Sequence, residues 1–464
     1  MLDPTSEEFK QIKKEALLGT VPDGPKFDDK TNMYHLDLQY DFKNVIEFVD
    51  LQAGGSYRLY DLNSNGTIFD DVTKNITINE VGAYVQAGKW LLGRRLKFAG
   101  SIRYDKNENF EGQLTPRISA VIKPGELHSV RFSFQTGFRN PPTQGQHIDL
   151  NILSARLIGG LPRYADKYQI IRQSTAGMPL SFDGYSVEKF RNYFFGTFDI
   201  PGAINLLESV TSFNKVKPEN ISTFEMGYKG VFGNNFWIDI SGYYNLYNNF
   251  IGETRINTAS EFTTNQALAE TDPGKYSYNP DPAMEGIPNY LSMLNSTAMT
   301  AKSNGVISGN TIQVYSNSDQ QVESYGAVMG MEYKLSKGYY VGGNYKWNTL
   351  RNVPEGFVSL YNTPEHKLNL MAGNRSFTDK IGFNLTWRWQ DEFRWESGFT
   401  LPANGMVPAY STLDAQISYK LKSLKSIFKI GGSNMLNKKY IQSLGGPNIG
   451  ALYYLSVTFD EFMK

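Results

Sequence analysis

Apolar and polar residues alternate with a period of two along most of this chain, the pattern of extended strands whose side chains point to opposite faces in turn. In the segment 381–390, Ile381, Phe383, Leu385, Trp387 and Trp389 share one face, and Gly382, Asn384, Thr386, Arg388 and Gln390 share the other. Leu413, Ala415, Ile417, Tyr419 and Leu421 likewise oppose Thr412, Asp414, Gln416, Ser418 and Lys420. Val130, Phe132, Phe134 and Phe138 oppose Arg131, Ser133, Gln135 and Arg139, and Leu96, Phe98, Ile102 and Tyr104 oppose Lys97, Ser101, Arg103 and Asp105. Each run is about ten residues long or a little more, enough for a tilted strand to cross a bilayer. A two-layer sandwich with one wet face gives the same alternation, so alternation alone does not choose between them.

The connections do. The pattern predicts about 15 strands, over 33–42, 45–58, 79–90, 94–105, 113–122, 127–139, 220–232, 235–250, 322–335, 338–350, 364–375, 379–393, 410–422, 426–435 and 451–460. Connections after odd-numbered strands are short, such as Lys43-Asn44, Gly233-Asn234 and Ser336-Lys337. Those after even-numbered strands are long: 59–78, 106–112, 140–219, 251–321, 351–363, 394–409 and 436–450. All tight turns therefore gather at one end of the sheet and all long loops at the other. That is the asymmetry of outer-membrane barrels, with short periplasmic turns and long external loops. The expected fold is all-β, an up-and-down antiparallel transmembrane barrel wall. Its lipid-facing set should include Phe383, Leu385, Trp387, Ile417, Tyr419, Leu455 and Val457, and its inward set Arg388, Asp414, Gln416, Arg131 and Arg103.

Composition is compatible with this. Aromatic residues make up 14% of the 464 residues, enough to supply girdles at two bilayer interfaces. No apolar run is long enough for a transmembrane helix. Charge is balanced, 46 basic against 46 acidic residues, so nothing points to a nucleic-acid partner. There is no cysteine, which removes disulfides, zinc-thiolate sites and a thiol nucleophile from consideration. Met1 to Lys14 is charged and lacks an apolar core, so it does not read as a signal peptide. Counting strands back from a periplasmic C-terminus places residues 1–32 in an external loop and 33–464 in the barrel. The expectation is a chain that lacks an N-terminal part of its barrel, with its first and last strands unpaired.

Several stretches, in order, carry a resemblance: Glu80-Val-Gly-Ala-Tyr-Val-Gln86, Ser101-Ile-Arg-Tyr-Asp105, Thr115-Pro-Arg-Ile-Ser119 and Thr136-Gly-Phe-Arg-Asn-Pro-Pro142. They continue with Lys217-Pro-Glu219, Phe224-Glu-Met-Gly-Tyr-Lys229, Thr363-Pro-Glu-His-Lys-Leu368 and Asn434-Met-Leu-Asn-Lys-Lys-Tyr440, and end with Tyr453 to Phe459. As an ordered set, from about Thr31 onward, they resemble the barrel of TonB-dependent outer-membrane receptors. The resemblance implies about 15 strands of a barrel of about 22, with the plug, its TonB-contacting box and the first strands absent. It implies a bacterial outer-membrane location, outer-membrane lipid around the wall, and partners in the missing N-terminal half and, through it, the TonB complex. It implies import of a small scarce nutrient: a ferric chelate, a sugar or a peptide. A passive porin-like channel and a structural or adhesion barrel of an envelope complex are the rival functions. Family chains usually end on an aromatic residue that signals assembly; here Asp460-Glu-Phe-Met-Lys464 follows Phe459, so Phe459 or Phe462 would serve.

Candidate chemistry is sparse. His35, His128, His147 and His366 have no metal-ligand spacing, and neither a nucleophile elbow nor a phosphate loop occurs. No enzyme activity, resident cofactor or metal is expected. Asp61, Asn63, Asn65 and Gly66 match the first half of a calcium loop, but Val72 stands where the closing Glu belongs. The long loops are the expected substrate contacts, with Arg156, Arg163, Tyr164, Tyr168, Arg172 and Tyr185 as candidates in the first.

Overall fold

The computed structural model describes residues 3–20, 24–152, 154–301, 306–397 and 405–459. One antiparallel sheet of 15 strands dominates it, and its strands follow chain order without a crossover. They are β1 Asn32–Asp41, β2 Asp50–Leu62, β3 Ile76–Leu91, β4 Leu96–Asn107, β5 Gln113–Gly125, β6 His128–Arg139, β7 Glu219–Phe232 and β8 Phe236–Asn248. The meander continues with β9 Val322–Lys334, β10 Tyr339–Arg351, β11 His366–Asn374, β12 Ile381–Gln390, β13 Tyr410–Leu421, β14 Ser426–Ser433 and β15 Leu452–Phe459. Every strand expected from the alternation is present, most within a few residues of its expected bounds.

The turns follow local chemistry. Between β7 and β8, Gly233 and Asn234 both have positive φ (57° and 62°). That is the pair of conformations a type I′ hairpin demands, and Gly and Asn adopt them most readily. The first turn departs from the expectation. The Asp41 side chain accepts the Lys43 N–H, winding Phe42–Asn44 into a 3-10 turn. As a result β2 begins at Asp50 rather than at 45, and its far end extends until Leu62 pairs with Ile76.

Burial is inverted relative to a water-soluble domain. Midway along the wall the apolar face looks outward: Leu385, Trp387, Ile417, Tyr419, Leu455 and Val457 are all exposed, Ile417 at 55% and Leu455 at 74%. Phe383 is half-buried, because Tyr339 and Phe377 pack edge-on against its ring. The opposite face carries paired charges, Arg103 with Asp105 at 2.6 Å, Arg131 with Asp239 at 3.0 Å, and Arg388 with Asp414. The buried apolar residues instead cluster in the long loops and at the loop-side ends of the strands.

β1 and β15 each have a single partner, β2 and β14 respectively, and do not pair with each other among the described residues. All ten residues of β1 are exposed on both faces, and so are all eight of β15 except Ser456. Phe459 is the last residue of β15 and Phe462 lies outside the described residues.

The two longest loops are not irregular. The first, 140–218, and the second, 249–321, share a five-stranded sheet. Two of its three inner strands, Thr311–Asn317 and Ile251–Thr258, come from the second loop. The flanking strands Asp149–Asn151, Arg156–Ile158 and Ser181–Asp183 come from the first. One apolar core joins them: Ile158, Tyr164, Tyr168 and Ile170 pack with Ile256, Met299, Ile307 and Ile312. The loop unit is tied to the wall through Glu219, whose carboxylate holds Arg139 of β6 at 2.7 Å and accepts the Ile251 N–H at 2.9 Å.

Candidate functional site

Two cavities lie between the loop unit and the strand ends. The smaller, about 420 Å³, sits under the segment 140–146 against the inner faces of β2, β3 and β4. Arg103 pairs there with Asp105, Arg58 approaches Glu80 at 3.8 Å, and Lys106 donates to the Phe110 carbonyl. The larger, about 770 Å³, lies where four long loops meet the loop-side end of β10. It is lined by the helix Gly184–Thr197, by Arg255 and Gln313 of the inner loop strands, by 353–359 and by Arg394 to Ser397.

The local sequence explains how these groups converge. Asp183 caps the helix by accepting the N–H groups of Tyr185 (3.0 Å) and Ser186 (2.9 Å). From that start, Tyr185, Glu188, Arg191 and Asn192 fall at helical spacing on one side, and all four line the cavity. Arg255 stands on the neighbouring strand, which also bonds Val358 through reciprocal Glu253–Val358 backbone hydrogen bonds of 3.0 Å.

Arg191 and Arg255 set the electrostatics. Both are half-buried, and neither forms an ion pair with a carboxylate among the described residues. Arg191 donates from Nε to the Met293 carbonyl at 2.6 Å, while one of its terminal nitrogens is buried without a partner. Arg255 donates to the Gln313 side-chain oxygen at 2.8 Å. Burial lowers the pKa of both guanidiniums, and the neighbouring Arg255 lowers Arg191 further; Glu188 partly offsets this. Burial pushes the Glu253 carboxyl up, and its charge, after that of Glu188, raises Arg255. Tyr185, Phe357, Tyr361 and Trp395 supply aromatic surface around these cations, and Arg394 adds a third guanidinium, 3.6 Å from Glu396.

Of the six loop residues expected to meet substrate, only Tyr185 lines this cavity. Arg156 and Tyr168 converge with Lys167 on Asp149, at 2.5, 2.7 and 2.7 Å. Burial pushes the Asp149 carboxyl up, but the Arg156 and Lys167 charges more than reverse this and hold it below the usual carboxylate range. Arg163 donates to His147 Nδ1 at 3.1 Å and to the Tyr164 hydroxyl at 2.5 Å, and that hydroxyl donates to the His147 carbonyl at 2.7 Å. Burial, then the Arg163 charge, push His147 down to about 3. Arg172 binds the Gly274 and Ala259 carbonyls, and burial lowers it to about 10. Sequence reasoning missed Arg191, Arg255 and Arg394. The helical spacing after Asp183 was the one signal that pointed to Arg191.

The half calcium loop is closed from within. Asp71 accepts the backbone N–H groups of Ser64 and Gly66, and Asp61 pairs with Thr77 in the β2–β3 ladder. Among the described residues no cluster of three or more His or acidic side chains could hold a metal.

The family model described as TonB dependent receptor-like, beta-barrel, matches residues 15–435. The chain belongs to this family. Receptors of this kind are outer-membrane proteins of Gram-negative bacteria and transporters rather than enzymes, so the lipid assigned to the outward face is that of the outer membrane. Solved structures with the same fold include the siderophore receptor PirA from Pseudomonas aeruginosa, at 14% identity and a TM-score of 0.51. The FrpB iron transporter from Neisseria meningitidis aligns at 11% identity and 0.54. The ferric enterobactin receptor PfeA from Pseudomonas aeruginosa aligns at 12% and 0.54. Each alignment covers 92% of this receptor chain but only 56%, 54% and 53% of the respective structures. The receptor chain thus spans about half the length of these structures. No curated protein matches it.

Proposed function

We propose that this chain supplies the barrel wall and external loops of an energised importer, and that its ligand is a small anionic nutrient held in the 770 Å³ cavity. The observation that carries the reading is the pair Arg191 and Arg255. Two half-buried guanidiniums face one cavity with neutral partners, and one retains an unbonded donor. The lining also carries Glu188, Glu355, Glu365 and Glu396, so the charge around the pair is mixed, and a bound anion would supply the acceptor that Arg191 lacks. Among ferric chelates, sugars and peptides, this chemistry favours an anionic ferric chelate. PirA, FrpB and PfeA, named as receptors or transporters for siderophores, iron and ferric enterobactin, are consistent with that choice.

In this reading Tyr185 touches the ligand, while Arg156, Arg163, Tyr164, Tyr168 and Arg172 hold the loop unit in shape around it. Residues 1–32 belong to the external side in this reading, which is supported by the Lys30 N–H donating to Asn63 O and the Asn65 side chain donating to Asp28 beside the loop after β2. Further strands join the free edges of β1 and β15, since unpaired backbone groups in lipid cost on the order of several kcal/mol each. A plug and the TonB complex then gate entry.

The test is isothermal titration of the full-length receptor with anionic ferric chelates, neutral oligosaccharides and peptides. An anionic chelate is expected to bind. Arg191→Gln with Arg255→Gln is expected to weaken it by at least about a hundredfold, since each bond to a charged group contributes about 1.5–3 kcal/mol. Unchanged affinity in the double variant, or binding confined to neutral sugars, overturns the reading.

A further inference from the structure

The two rims of the wall differ in more than loop length. The chain as a whole carries 46 basic and 46 acidic residues. The short connections, at 42–49, 92–95, 126–127, 233–235, 335–338, 375–380 and 422–425, hold eight Lys or Arg against three Asp or Glu. Arg94, Arg95, Lys337, Arg375, Lys422 and Lys425 are all exposed and form no ion pair among the described residues. Six of the seven connections also expose one large apolar side chain or more. Phe48, Leu92, Leu127, Leu335, Phe377 and Leu424 stand in six different connections, with Leu92 at 73% and Leu424 at 60% exposure. Only Gly233-Asn234-Asn235 lacks both kinds of residue.

Apolar tips gain by leaving water, while solvated cations beside them gain by meeting anions. They are the composition of surfaces that lie in a lipid interface, where the apolar group enters the acyl boundary and the cation meets phosphate. Two details place the tips beside lipid. Phe377 packs on Phe383, an outward-facing wall residue, with ring centroids 6.0 Å apart. The Lys89 ammonium lies over the Phe48 ring, 5.6 Å from its centroid. Five of the seven connections, the first and the last among them, carry both kinds of residue, whereas a docked protein would require such residues on one sector only.

We propose that the short-turn rim is seated in the headgroup layer of a leaflet rich in anionic phospholipid, its apolar tips below the phosphates and its Lys and Arg groups binding them. The inference uses the barrel reading of the fold but is independent of the ligand. The test uses the full-length receptor in nanodiscs of phosphatidylcholine with or without phosphatidylglycerol. These 464 residues contain no cysteine, so Leu92→Cys, Leu424→Cys, Ile417→Cys and Val72→Cys each add one site for an environment-sensitive fluorophore. Lipid-borne quenchers should reach Ile417, Leu92 and Leu424, and should not reach Val72 in the loop after β2. If Ile417 is not quenched, the barrel orientation is wrong. If Ile417 is quenched while Leu92 and Leu424 report water, the rim stands in the aqueous phase and the proposal fails, with a protein-docking rim as the remaining reading. In native mass spectrometry, R94Q/R95Q/K337Q/R375Q/K422Q/K425Q is expected to lower the preference for phosphatidylglycerol by roughly tenfold or more. An unchanged preference overturns the proposal.

Discussion

Acidification should open the loop unit through His147. This imidazole is 5% exposed, accepts a hydrogen bond from Arg163 at Nδ1, and has a buried Nε2 without a partner. Only the neutral ring suits that setting, and its folded pKa falls from 6.5 to about 3. A depressed folded pKa means the stabilisation is complete above the unfolded value and is lost as pH falls from there toward the folded value. The window is therefore pH 6.5 down to about 3. Each unit within it costs about 1.4 kcal/mol, so at pH 5 the closed state loses about 2 kcal/mol and opens roughly thirtyfold more often. Asp149, held below its ordinary value, acts only in stronger acid. Glu253 and Asp183, both raised by burial, act in the opposite direction by favouring the closed state as pH falls. The quantity to read is thus a difference between proteins. Hydrogen exchange across 143–170, corrected for intrinsic chemistry, should rise between pH 7 and pH 5 far more steeply in the parent than in His147→Asn. Equal slopes in the two would refute the reasoning.

Asp149→Ala should lower the melting temperature of the loop unit, at a cost of about 3–5 kcal/mol, because Arg156 and Lys167 lose their shared buried partner; a shift near zero in thermal melts of the full receptor would contradict this. Ile417→Arg, on the lipid face, should cost about 2–4 kcal/mol in refolding into vesicles, whereas Gln416→Arg, one residue away on the lumenal face, should cost much less. Equal costs would mean that the two faces have been assigned the wrong way round.

The wall was legible because one rule governs it: residues i and i+2 share a solvent, lipid on one side and the lumen on the other. Ile381 to Gln390 states that rule without ambiguity, and β12 formed over those ten residues. The first turn was misplaced because a local competitor, the Asp41 side chain on Lys43 N–H, cut the strand short in a way alternation does not encode. The loops were opaque for a different reason. Arg255 approaches Arg191 only because strand Ile251–Thr258 pairs with Ser181–Asp183, roughly a loop and a hairpin away in sequence. Tyr164 and Tyr168 looked like ligand contacts by type. Their spacing of four along a helix buried by the second loop makes them core instead. Residue type announces capacity, and only the long-range pairing decides whether it is used in packing or in recognition.

The shared sheet of the two long loops has an evolutionary corollary. Strands of the loop before β7 and β8 flank a pair from the loop after them, and the core draws on both, so neither loop can complete a hydrophobic core by itself. A recombination breakpoint inside that hairpin would join a first loop from one parent to a second from another, leaving inner strands without matching flanks. Diversification of the ligand end should therefore proceed by inheritance of the block from about residue 140 to 321 as one cassette, with crossovers tolerated in the outlying meander on either side.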